Sequence, residues 1–304
     1  MSHRLFILAM AVGVCHSFDH SPLFAADIQP LIKTIKAVSS EGAGGRDAAK
    51  AFQQLIEAGP DSVPALLVSL DDANPLASNY LRNAIESIVD RAHDQKRQLP
   101  SREIEAFLAD TKHNSRARRM AFEILVDLDA KNRDRLIPGM LNDPSVELRR
   151  DAVARVITAG NEQFDADRKE EAKATYLKAM AAVRDDDQVQ LIKKKLEELG
   201  EKVDLPEHFG FIMTWRLLAP FDNTAGKGFH IAYPPETELD YSKEYEGKGG
   251  EVAKWVEHTT TDEYGLVNVA KALSPFKGAV SYAAAEFDSD RDQAVELRLG
   301  TDNA

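Results

Sequence analysis

The residues equipped for chemistry crowd into one stretch, "WRLLAPFDNTAGKGFHIAYPPE" (residues 215–236), which holds Asp222, His230 and Glu236. Two carboxylates that flank a sugar ring hydrolyse a glycosidic bond when one is kept protonated and the other ionised. Asp222 and Glu236 are therefore the pair to examine, with His230 and His258 as candidate bases. Further on, Asp288, Asp290 and Asp292 alternate in "DSDRD", a spacing that suggests calcium. A twelve-residue EF-hand loop needs glycine at its sixth position and glutamate at its twelfth. Gln293 and Leu299 stand there, so a solvated hairpin is expected, with a structural calcium as the lesser alternative. Trp215, Tyr233 and Trp255 can stack on a sugar ring if exposed. On a small sheet, though, a tryptophan more often fills the core. No His-Glu-x-x-His, Gly-x-Ser-x-Gly, P-loop or Gly-x-Gly-x-x-Gly motif occurs, and "GKGG" (247–250) lacks the spacing of a phosphate loop. No catalytic, cofactor-binding or metal-ligating residue is assigned from these patterns.

Composition narrows the classes. The chain has 304 residues, 43% of them hydrophobic, enough for about two domains with real cores. Its formal net charge of −12 repels phosphate backbones, which disfavours nucleic acid as a partner. The single cysteine, Cys15, closes an apolar run (5–14) behind Arg4. A run that short behind a basic start reads as an export signal, with residues 1–26 removed and the product periplasmic, surface-bound or secreted. Val14 before Cys15 argues against lipidation. Removal of this segment leaves no cysteine for disulfides, thiol catalysis or cysteine-ligated zinc.

From residue 28 to 200, apolar residues recur at three- and four-residue steps, the amphipathic-helix pattern. Breaks fall at Gly59-Pro60, Asn74-Pro75, Pro100-Ser101, Asp143-Pro144 and Gly160. The segments "LLVSLDDANPLASNYLRNAIESIV", "IEAFLADTKHNSRARRMAFEILVDL" and "LIPGMLNDPSVELRRDAVARVITAG" superpose on one another. Each has a helix, an Asp-containing turn and a second helix with an arginine before a small alanine: Arg82 and Ala84, Arg119 and Ala121, Arg150 and Ala152. A weaker copy has its turn at Asp185, Asp186 and Asp187. A repeat of roughly 30–40 residues built from two short helices predicts an α-solenoid. These residues resemble HEAT repeats, most closely in "LIPGMLNDPSVELRRDAVARVI". The resemblance implies a concave face for a protein partner. Asp143 is expected to cap the second helix, with Pro144 in its first turn. The arginines Arg116, Arg118, Arg119, Arg149, Arg150 and Arg155 either line an anion groove or bond to turn aspartates and carbonyls; their recurrence at the repeat period favours the second.

Beyond a linker at 201–208 the composition turns to aromatics, glycine and β-branched residues. Strands are expected at 211–219, 228–233, 251–258, 278–287 and 293–300, the last with clean alternation of Val295, Leu297 and Leu299 against Glu296 and Arg298. Consecutive short strands with glycine turns predict a partial antiparallel β-sandwich or jelly roll. Trp215, the Pro-Phe-Asp-Asn turn at 220–223, Gly228, Phe229, the Tyr-Pro-Pro-Glu at 233–236 and Trp255 resemble a galactose-binding-like β-sandwich over 209–304. That family's usual pattern has glycine where Ala219 stands, and further strands after the last one here, so a fragment or truncated product is expected. The resemblance implies carbohydrate or surface attachment, as a non-enzymatic exported scaffold. The alternatives are a fragment of a carbohydrate-active enzyme and, third, nucleic-acid binding through the arginine cluster.

Overall fold

The computed structural model describes residues 28–39, 43–273, 276–295, 297 and 299–300. The proposed export signal, residues 1–26, lies outside the described residues. The chain is mixed α and β: helices make up the first part, and short antiparallel sheets appear only in the second. It separates into two compact units after Leu199. Among the described residues no helix is long and apolar enough to cross a membrane.

In the first unit the helices pair along the chain. α1 (Gln29–Lys36) packs on α2 (Gly45–Ala58), α3 (Val63–Ser69) on α4 (Pro75–Asp94), and α5 (Ser101–Ala109) on α6 (Ser115–Leu128). α7 (Lys131–Leu136) continues through the 3-10 turn Ile137–Met140, which packs on α8 (Val146–Asp165). α9 (Lys169–Ala182) packs on α8 and on α10 (Asp186–Glu198). Successive pairs also touch: α2 meets α4, α3 meets α5, α6 meets α8 and α8 meets α10. A single core runs from Ile28 to Ala152 and includes Leu66, Leu81, Ile104 and Phe122, each fully buried. Neither helix of a pair has an apolar face that it can bury alone, so stacking is what removes that surface from water.

The turns entering the second helices are bonded backward to the preceding pair. Asn74 caps α4 by accepting from Leu76 N and Ala77 N, at 3.0 and 2.9 Å. Its Nδ2 donates to Val38 O at 2.9 Å and Lys36 O at 3.2 Å, beyond α1. Asn114 caps α6, and its own N–H donates to Asp71 Oδ1 at 2.8 Å. Arg118, only 2% exposed in its side chain, donates Nε to Leu108 O at 2.8 Å. Both its terminal nitrogens reach Asp143 at 2.7 Å. Arg150 reaches Asp187 at 2.7 and 2.6 Å and Asp185 at 3.2 Å, while Gln188 Nε2 donates to Arg150 O at 3.0 Å.

Two sequence expectations need correction here. Asp143 does not cap α8. Its carboxylate is held by Arg118 and accepts from Ser145 N at 2.8 Å, so the capping oxygen is that of Ser145 and Pro144 stays outside the helix. Gly160 does not break a helix. It sits inside α8, where the Tyr176 ring of α9 lies so close that a Cβ there would meet a ring carbon at 2.7 Å. Glycine serves here to admit an aromatic ring, and the Tyr176 hydroxyl completes the contact by donating to Asn161 Oδ1 at 2.6 Å.

The second unit opens with α11 (Leu205–Phe209), capped by Asp204, inside the stretch expected to be linker. β1 (Thr214–Asp222) is the central strand of a three-stranded antiparallel sheet. It lies between β4 (Val256–Thr259) and β5 (Ala279–Ala284). The β1–β5 register breaks between Leu218 and Phe221, around the cis Ala219-Pro220 bond, because proline has no N–H to give the ladder. β2 (Glu244–Glu246) pairs with β3 (Val252–Lys254) in a second small sheet. The expected strand 251–258 is therefore two strands of different sheets, with Trp255 at the break. Residues 228–233 are not a strand. Asn223 Oδ1 accepts from Gly228 N at 2.9 Å and winds Thr224–His230 into 3-10 turns. α12 (Pro234–Thr237) and α13 (Val269–Ala272) are single turns. The alternating 293–300 segment forms no strand among its described residues. The core of this unit is small: Leu218, Phe221 and Ala253, surrounded by Tyr233, Tyr245, Trp255, Val280 and Tyr282.

Two stability predictions follow from the helical unit. Arg118→Met should lower its unfolding free energy by about 3–5 kcal/mol, since Asp143 would be left buried and unpaired. Urea titrations read by far-UV circular dichroism measure this. The double change Arg118→Met with Asp143→Leu should cost clearly less than the sum of the singles. Gly160→Ala should cost about 1–3 kcal/mol by overpacking, and its penalty should shrink in a Tyr176→Leu background.

Candidate functional site

Asp222 and Glu236 both bond to tyrosines that pack on the Phe221 cluster. Asp222 ends β1, and its Oδ1 accepts from Thr224 N at 3.0 Å and Thr224 Oγ1 at 2.6 Å. Lys248 Nζ lies 3.3 Å away. The Thr224 hydroxyl, then its amide, and then Lys248 hold the Asp222 carboxyl below its ordinary value of 3.8. Glu236, in α12, accepts the Tyr282 hydroxyl proton and the Tyr233 amide, the latter at 3.2 Å. The Tyr282 hydroxyl is the main cause that lowers the Glu236 carboxyl from its ordinary 4.5. Burial chiefly, and then the bond to Glu236, push the Tyr282 phenol up. The Tyr233 hydroxyl donates to the backbone carbonyl of Asp222, so the two acids are joined through one tyrosine. A glycosidase acid works with a raised pKa. Both of these carboxyls move the other way.

The remaining candidates are dispersed. His230 ends the 3-10 turns and is exposed. His258 stands opposite Trp215 in the β1–β4 register and lines an open hollow of about 670 Å³ with Thr260, Asp262 and Lys271. Asp288, Asp290 and Asp292 are exposed. Among the described residues no group of three or more His, Cys, Asp or Glu is placed to hold a metal ion.

The aromatic candidates do not converge. Tyr233 packs face-inclined on Phe221, with ring centres 4.7 Å apart. Trp255 packs against the core, and its indole nitrogen is buried without a hydrogen-bond partner. Trp215 is half-buried and donates Nε1 to Ile212 O at 2.9 Å. It lines a shallow hollow of about 190 Å³ together with Arg216, Tyr241, Glu257 and Glu286. Arg216 lies over the Tyr241 ring at 4.1 Å and reaches Glu286 at 3.2 Å. Sequence reasoning passed over Arg216 and Tyr241.

"GKGG" has a structural role that its lack of phosphate-loop spacing left open. Lys248 Nζ donates to Lys277 O at 2.7 Å and to Gly278 O, clasping β5's entry to the end of β1. Gly247 is needed because a Cβ would stand 2.6 Å from Pro220 O.

The arginine cluster resolves residue by residue. Arg118 and Arg150 hold turn aspartates, as described above. Arg119 binds Asp151 at 2.6 Å and Glu123 at 2.8 Å, Arg149 donates to Asp143 O at 2.7 Å, and Arg155 binds Asp134. Of the six, only the Arg116 side chain has no such partner among the described residues. Comparison with protein-family models, with curated proteins and with solved structures returns no match.

Acid should act on the second unit through Asp222 and Glu236. Their folded pKa values lie below the unfolded ones, so their contribution is complete above about pH 4.5 and is lost as pH falls through the folded values. Both tryptophans of the chain, Trp215 and Trp255, lie in this unit, so intrinsic tryptophan fluorescence reports on it alone. An acid titration should show a transition below about pH 4. Glu236→Gln should reduce its pH dependence without abolishing the folded signal at pH 7.

Proposed function

We propose that this chain is an exported, non-enzymatic binding scaffold. Its first unit is read as a HEAT-like α-solenoid that engages a protein partner. Its second is read as a partial galactose-binding-like β-sandwich that attaches to carbohydrate or to a surface. Support for the solenoid reading comes from the backward-bonded turns and the continuous core across successive helix pairs. Support for the sandwich reading comes from two antiparallel sheets around a shared aromatic core. The export reading rests on the apolar run at 5–14.

The observation that carries the non-enzymatic reading is the condition of Asp222 and Glu236. Both are engaged by hydroxyl groups, Asp222 by Thr224 and Glu236 by Tyr282, neighbours that also secure the fold. The alternative, a fragment of a carbohydrate-active enzyme, draws on a different pair: Glu257 and Glu286 line the same hollow as Trp215. A half-buried indole beside polar side chains is an arrangement suited to a sugar face.

Retention of the chain in native gels containing soluble polysaccharides tests the attachment. Trp215→Ala should lose at least half of any retardation while the far-UV spectrum is kept. Release of reducing sugar that disappears in Glu236→Gln, Glu257→Gln or Glu286→Gln would replace the scaffold reading with the enzymatic one.

A further inference from the structure

Arg116 has a neighbour in the same condition. Arg82, on α4, likewise makes no hydrogen bond or ion pair through its side chain among the described residues. Both are exposed, and both line one groove of about 300 Å³ between the first turns of α4 and α6. Its apolar lining comes from Leu70, Ala73 and Ala117, and Asn79 adds an amide. The amides at the start of α6 take no part, because the Asn114 side chain already accepts from Arg116 N and Ala117 N. Asp71, which follows the lining residue Leu70, is bonded to Asn114 N and to His113.

The contrast with the rest of the cluster is what gives this groove meaning. The chain carries 50 acidic and 38 basic residues, so carboxylates are in excess. Arg118, Arg119, Arg150 and Arg155 each pair with one. Arg82 and Arg116 do not, although they share a concave site. We propose that this groove binds an acidic peptide segment of a partner protein, with one carboxylate on each guanidinium and a small apolar side chain over Leu70 and Ala117. Guanidinium–carboxylate pairs are charge-assisted and planar, which suits two arginines at a groove rim. A nucleic-acid strand fits less well. Its continuous phosphate charge meets a chain of net charge −12.

The inference rests on the scaffold reading and names the chemistry of its partner. The test uses the full chain and a fluorescein-labelled, end-capped peptide of alternating glutamate and leucine, read by anisotropy at about 50 mM salt. Arg82→Ala with Arg116→Ala should weaken binding about tenfold. Substituting glutamine for every glutamate in the peptide should weaken it similarly, and about 500 mM salt should remove most of the difference. Neither side chain makes a hydrogen bond or ion pair among the described residues, so the variants should melt close to the parent. Asn79→Asp, which adds a carboxylate to the lining, should weaken binding on its own. Equal binding of the glutamate and glutamine peptides, or no binding of either, overturns the proposal, as does an unchanged affinity in the double variant. Displacement of the peptide by a single-stranded oligonucleotide would overturn it in favour of a nucleic-acid ligand. Any of these failures leaves polysaccharide retention, and with it the attachment half of the scaffold reading, to stand or fall separately.

Discussion

A guanidinium whose side chain is only 2% exposed constrains everything around it. Arg118 cannot be deprotonated, and an isolated charge in that position would cost several kcal/mol. It must be surrounded by acceptors, and the chain supplies them from both directions: Leu108 O from the helix before it and Asp143 from the turn after it. Satisfying Arg118 therefore fixes where α5 ends and where the turn into α8 begins. Asp143 then has a second oxygen interaction with Ser145 N, and its carbonyl holds Arg149, so α8 starts where that turn leaves it. One buried charge positions three helices. The pair adds less to stability than to uniqueness, because an apolar pair of similar volume would fill the space about as well.

The other turns obey the same rule with weaker chemistry. Asn74, Asn114 and Arg150 each link a turn to the pair before it, through amides, carbonyls or half-exposed ion pairs. Exposed pairs contribute about 0–1 kcal/mol each, so these links set orientation while the apolar core supplies the cohesion. In the second unit that balance is reversed. Few buried apolar residues anchor the unit, chiefly the cluster of Leu218, Phe221 and Ala253, and polar clamps carry more of the organisation: Lys248 on the carbonyls before β5, Glu236 on Tyr282, and Tyr233 on the carbonyl of Asp222. Phe229, Leu266, Phe287 and Leu299 remain exposed beside it.

What could be read in advance divides along physical lines. Helices were legible because their 3.6-residue pattern and their caps are local, and Asn74-Pro75 and Asp185 mark helix starts where expected. The repeat register was less so. Aligning Arg82 with Arg119 and Arg150 puts α4 about one turn out of step with the caps, and the arginine that is buried is Arg118. Sequence shows that arginines recur but not which one faces inward. Strands were legible where partners exist. The alternation at 293–300 is the cleanest in the chain, yet alternation only states which side would be buried if a neighbour supplied a ladder. At 228–233 the Asn223 side chain offered Gly228 N a closer partner than any strand, and the segment coiled. The two acids at the outset were visible as residues, but their condition depends on Tyr282, Thr224 and Lys248, which come from other segments.

Function in such a chain is best sought in the polar groups that the fold leaves unengaged. A side chain that already holds a turn or a clamp cannot be withdrawn for a ligand without loosening the structure. That weighs against Asp222 and Glu236 as reacting groups, since protonating or moving either disturbs a bond that the small second unit relies on. It weighs equally against Arg118 and Arg150 as ligand contacts, because their carboxylate partners hold adjacent helix pairs together. Arg82 and Arg116 are under no such obligation. Charged side chains that make no ion pair among the described residues keep their capacity to bind. Their position on one groove makes that capacity directional.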